Sequence, residues 1–180
     1  MHIQSRMLAT VGTFVLALLG HAAQAQVQLS GAILPSSLAQ EAAAEAIKAC
    51  EAKNYRVSAS VVDTAGGERV LLRGDHSTVH TRETAFKKAY TIVTLGPIFG
   101  IGTTGDLTEK IAKTPTGPAL ASVSNVILLA GGVAIRSGGE TIGALGVGGA
   151  PGGALDEACA QAGVARIQQR VDALSKAMTQ

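Results

Sequence analysis

The sequence predicts an α+β fold in which short antiparallel strands carry helices on both faces. Three observations lead there. Short apolar or β-branched runs fall into two groups, each joined by tight glycine-bearing turns, which requires antiparallel pairing within a group. Longer segments with apolar residues at helical spacing bracket those groups. Within the strands both alternating sets are apolar or small, as in Ile142/Ala144 and Leu145/Val147, so both sheet faces are expected to be buried, by helices or by another subunit.

In chain order, residues 1–25 have the form of an export leader. Arg6 is the only charged side chain, Met7–Gly20 is an apolar run, and Ala23-Gln24-Ala25 offers the small-x-small pattern of signal-peptidase cleavage. The run falls short of the roughly 20 residues of a membrane span. The mature domain is expected to comprise residues 26–180, periplasmic or secreted, with no stable membrane insertion after cleavage.

Pro35–Lys53 is the first predicted helix: Leu38, Ala42, Ala46 and Cys50 recur every four residues, after Pro35 and Ser36-Ser37 as initiators. Val57–Asp63 and Glu68–Arg73 are predicted to form a hairpin around Thr64-Ala65-Gly66-Gly67. A second helix spans His80–Leu95, with Ala85, Phe86, Ala89, Ile92 and Val93 on one face, Lys87 and Lys88 flanking it, and Gly96-Pro97 as its stop. Asp106–Lys113 is a short helix between breakers. Val126–Ala130 is a predicted strand that leads into a hairpin of Val133–Arg136 and Thr141–Val147, closed by Gly138-Gly139. Gly148–Gly153 can continue neither strand nor helix, and a last helix, Leu155–Met178, follows with Asp156 and Glu157 in its first turn, where the helix dipole favours acids.

Composition excludes several functions. The chain has 15 Lys+Arg against 13 Asp+Glu, and without Arg6 the balance is 14 to 13, so nothing points to nucleic acid or anionic lipid. Aromatics are 3% while glycines number 22, a balance that favours close backbone packing over large side-chain wedges. Cys50, late in the first helix, and Cys159, early in the last, would meet if those helices pack antiparallel; otherwise they are two small buried hydrophobes. The Gly148–Gly153 loop is a poor phosphate cradle. No Lys-Ser/Thr follows it, Pro151 breaks the G-x-G-x-x-G register, and Asp156 and Glu157 would repel an anion.

Four stretches carry a resemblance to a known family: Val61-Val62-Asp63 with Gly66, Arg73-Gly74-Asp75, Glu83–Ala89, and the whole of Gly131–Gly163. Through them, nearly all of the mature sequence resembles the GlcG/HbpS family (the DUF336 domain). The resemblance implies a profilin-like layered fold with a five-stranded antiparallel sheet, and homo-oligomers from dimers to octamers. It also implies haem binding in some members and redox sensing with a sensor kinase in some secreted ones. His76-Ser77 departs from the small residues usual after the Arg-x-Asp element.

The candidate binding residues are therefore Arg73, Asp75, His76, His80, Glu83 and Lys88. His76 and His80 are the histidines left after the leader, and either could ligate haem iron through a neutral imidazole nitrogen. Arg73, Lys87 and Lys88 could pair with a propionate, or else with Asp75 and Glu83. No Gly-x-Ser-x-Gly elbow or zinc-protease His pair is present. Three functions remain: an exported, oligomeric protein that binds a small molecule such as haem or another tetrapyrrole, an enzyme that acts on a small organic acid or degrades haem, or an accessory protein whose only role is assembly.

Overall fold

The computed structural model describes residues 32–178, so the leader assigned to residues 1–25 lies outside the described residues. The elements are α1 (Ser36–Glu51), β1 (Ser58–Val62), β2 (Glu68–Arg73), α2 (Thr81–Phe99), α3 (Thr104–Ile111), α4 (Gly117–Ala121), β3 (Gly132–Ser137), β4 (Glu140–Gly148) and α5 (Gly153–Met178). The strands form one antiparallel sheet in the order β2-β1-β4-β3.

The two faces of the sheet differ in the size of their side chains. On one face Ala59, Val61, Val133, Ile135, Leu145 and Val147 join a core with α1 and α5. Here the branched side chains of Leu145, Ile167 and Val171 are fully buried, each contributing about 1.5–3 kcal/mol of transfer free energy. On the other face the residues are small: Ala134, Ala144 and Gly146 lie under α2, which answers with Ala85 and Ala89. A Cβ on Gly146 would collide with the Ala85 carbonyl and one on Gly132 with the Lys88 carbonyl, so helix backbone rests almost directly on sheet backbone. The glycine-rich, aromatic-poor composition is the sequence record of that contact.

Cys50 and Cys159 form a disulfide that ties the end of α1 to the start of α5, with Cα atoms 5.5 Å apart. Farther along the same helix pair, Glu41 accepts from Arg166 and Arg170 at 3.0 and 2.7 Å.

Two expectations are corrected. Gly96-Pro97 does not stop α2, which continues to Phe99 and is capped by Gly100 in the left-handed region (φ +67). Pro97 removes only one intrahelical bond, the one an N–H at that position would give the Val93 carbonyl, and the helix closes beyond it through Gly100 and Ile101 N–H, both donating to the Gly96 carbonyl, the latter at 2.9 Å. Val126–Ala130 is not a strand: it runs as irregular chain, held to α2 by a bond from Ile127 N–H to Thr91 Oγ1, with Leu129 half exposed. Among the described residues the sheet therefore has four strands, not five. The Gly138-Gly139 hairpin has the two positive φ angles (+58, +90) expected of it.

Candidate functional site

The segment between β2 and α2 is fixed from both sides. Arg73, at the end of β2, donates through Nε and an Nη to the Ser77 carbonyl (3.0 and 2.6 Å) and so closes the turn that contains Asp75 and His76. At the start of α2, the buried Thr81 hydroxyl shares a 2.7 Å hydrogen bond with Ser58 of β1 and donates to the Thr78 carbonyl. His80 sits between these anchors, at the N-cap of α2, with no capping bond from its ring. Its location is set by backbone and hydroxyl contacts, which leaves the imidazole available.

A surface groove of about 670 Å³ opens beside it. Leu71, Val79 and Phe86 give it apolar walls, and His80, Arg82 and Glu83 give it polar groups. Its far end is shaped by the β1–β2 turn. There the Asp63 carboxylate accepts from Ala65 and Gly67 N–H, and Gly66 (φ +80) lies so close to the Tyr90 ring that a Cβ would collide with it.

A second, smaller pocket of about 280 Å³ lies next to the first and shares His80 with it. At this pocket Lys88 Nζ meets Asp156 Oδ2 at 2.6 Å, with each side chain only 4% exposed. Asp156 Oδ1 accepts from Ala150 N–H at 2.9 Å, so the carboxylate also holds the Gly148–Gly153 loop. Burial raises the Asp156 carboxyl above the usual carboxylate range, against the opposing pull of Lys88 and of the Ala150 and Gly149 N–H groups. Glu157 faces the other way and accepts from Gly105 and Gly131 N–H at 2.8 and 3.1 Å. The two acids at the start of α5 thus cap glycine-bearing loops with carboxylates.

The six residues anticipated from sequence separate. His80 lines both cavities, Glu83 lines the groove while paired with Lys87 at 2.6 Å, and Lys88 lines the smaller pocket. Arg73 is committed to the Ser77 carbonyl. Asp75 and His76 are exposed in the turn, His76 with φ +62, and line neither cavity. The two histidines do not share a helical face, because α2 begins only at Thr81. No cluster of three or more His, Cys, Asp or Glu suited to a metal ion occurs among the described residues. Arg82 and Asp156 were missed. The available signal for Asp156 was Lys88 itself: it stands between Ala85, Ala89 and Ile92 on the buried stripe, where a lysine needs an acidic partner.

The comparisons agree with this architecture. The crystal structure of HbpS superimposes with a TM-score of 0.70 at 34% identity, covering 77% of this chain and 93% of that one. A double mutant of Streptomyces reticuli HbpS gives 0.69 at 30%, covering 92% and 99%. The crystal structure of a PduOC:heme complex gives 0.65 at 26%, covering 74% and 94%. No curated protein matches the sequence. The family model described as haem degrading protein HbpS-like matches residues 34–165, and the chain therefore belongs to the HbpS-like family.

Proposed function

We propose that this is an exported, homo-oligomeric haem- or tetrapyrrole-binding protein whose ligand occupies the groove between β2 and α2. The observation that carries the reading is His80: an imidazole without a hydrogen-bond partner among the described residues, on the wall of a groove of about 670 Å³. That volume lies within the range of small-molecule and cofactor sites. The residues present suit the group. His80 offers a ring nitrogen to iron, Leu71, Val79 and Phe86 offer apolar surface to the ring, and Arg82 offers a planar fork to a propionate. Haem, when bound, would supply redox or oxygen chemistry at its iron; the chain's own residues bind, orient and shield it. The heme complex of PduOC and the haem-directed description of the family support the reading.

Export is supported by the apolar run Met7–Gly20 with its Ala23-Gln24-Ala25 site, and by the Cys50–Cys159 disulfide, which belongs to an oxidising compartment, periplasmic or secreted. Self-association rests on the family resemblance, which implies homo-oligomers.

Haem titration followed by the Soret band tests the reading. A saturable band is expected for the wild type and for His76→Ala, with loss or a marked shift for His80→Ala. An absent band, or one unchanged in His80→Ala, overturns the assignment of His80. A band that forms and then decays under reductant and oxygen would make the protein a haem-degrading enzyme at the same groove.

A further inference from the structure

The smaller pocket has chemistry of its own that haem binding does not use. Lys88 is the charged group in it with unspent capacity. Its ammonium has three N–H donors, and among the described residues it has one acceptor, Asp156 Oδ2 at 2.6 Å. A buried ammonium with unused donors is costly unless something supplies oxygens to it. Asp156 is better satisfied, through Lys88 and Ala150 N–H. The repulsion expected of the two acids is offset here, since Asp156 is paired with Lys88 and Glu157 is bonded to Gly105 and Gly131 N–H and does not line the pocket, so the unmet demand is for an acceptor, not a donor.

The surroundings narrow the acceptor. Gly153, the first residue of α5, lines the pocket, so the positive end of that helix dipole lies beside the ammonium. Leu129 and Pro151 add apolar surface, while Thr84 and His80 add polar atoms. A volume of about 280 Å³ holds a molecule of roughly ten heavy atoms or fewer, taking liquid water at ~30 Å³ per molecule as the yardstick. Macrocycles are too large for it.

We propose that this pocket is a second ligand site, beside the groove and sharing only the His80 wall with it, that binds a small carboxylate through Lys88 Nζ. The carboxylate oxygens take the free ammonium N–H groups, and a short apolar or hydroxylated remainder lies against Leu129 and Pro151. Asp156 acts as a positioning residue: it holds Lys88 toward the pocket and pins the Gly148–Gly153 loop that forms its rim.

The test is titration of the purified protein with acetate, lactate, pyruvate and benzoate, and with the neutral amides lactamide and benzamide, followed by amide NMR shifts at Gly152 and Gly153. At least one carboxylate is expected to give saturable shifts, with its amide weaker by at least roughly tenfold. Leu129→Trp, at a half-exposed rim position, should fill the pocket and weaken binding by a similar factor while leaving the ion pair intact. Lys88→Met/Asp156→Asn should do the same without a lone buried charge; should that variant fail to fold, Leu129→Trp decides. No saturable shift with any carboxylate, equal binding of acid and amide, or undiminished binding in Leu129→Trp overturns the proposal. A haem titration of Leu129→Trp is expected to match the wild type, so failure at this pocket and failure at the groove are read separately.

Discussion

Lys88 Nζ lies 2.6 Å from Asp156 Oδ2, a buried ion pair that joins the middle of α2 to the first turn of α5 across 68 residues of sequence. Breaking such a pair from one side leaves an uncompensated buried charge. Lys88→Met is expected to lose about 3–5 kcal/mol of stability. The double variant Lys88→Met/Asp156→Asn should recover a large part of that, because Asn can still accept from Ala150 N–H. Urea denaturation of the wild type, single and double variants measures both; a double variant no more stable than the single would mean the loss is one of packing.

The Cys50–Cys159 bridge spans 109 residues of sequence and so removes much conformational freedom from the unfolded chain. Cys50→Ala/Cys159→Ala is expected to cost about 5 kcal/mol on the loop-entropy scale. The wild type unfolded in the presence of a thiol reductant should show a similar loss. If reductant leaves the denaturation midpoint unchanged, the bridge contributes nothing.

Two glycine substitutions should separate close packing from backbone conformation. Gly146→Ala places a Cβ against the Ala85 carbonyl, so α2 must lift from the sheet, at about 1–3 kcal/mol or more. Gly139→Ala meets no atom within 4 Å but must hold φ +90, at about 1–2 kcal/mol. Amide exchange in α2 distinguishes the two: faster in Gly146→Ala, unchanged in Gly139→Ala.

The Glu41 carboxyl is held below its ordinary range, first by its hydrogen bond to Arg170 and further by the charges of Arg170 and Arg166. A lowered folded pKa means that the group favours the fold above its unfolded pKa, and that this contribution disappears as pH falls through the folded value. Glu41→Gln should therefore be less stable than the wild type near neutral pH, and the difference should close in acid. Thermal melts of both proteins across that range provide the measurement, and a gap that widens in acid would contradict it.

At the groove, Val79→Asp places a carboxylate on an apolar wall without touching the core, since Val79 is 68% exposed. Haem affinity is expected to fall at least roughly tenfold with an unchanged far-ultraviolet circular dichroism spectrum. Unchanged affinity would move the ligand elsewhere on the surface.

Local patterns made most of the fold legible. Four-residue spacing placed α1, the Gly-Gly turns placed both hairpins, and the acids after Pro151 placed the start of α5, because backbone conformation and periodicity are properties of neighbouring residues. Val126–Ala130 misled for the same reason: five apolar residues in a row suit a strand, and only the lack of a partner strand makes them irregular chain. Pro97 misled because a proline so near a helix end removes a single intrahelical bond, and Gly100 and Ile101 N–H close the helix on the Gly96 carbonyl beyond it. By itself the sequence determined the α+β class, the family and the antiparallel hairpins. Tertiary structure alone decided that Cys50 meets Cys159, that Lys88 is buried against Asp156, and that His80 lines a groove while His76 does not. Those are relations between residues far apart in the chain or differing only in orientation. They depend on how α2 and α5 seat on the two faces of the sheet, which no local pattern records.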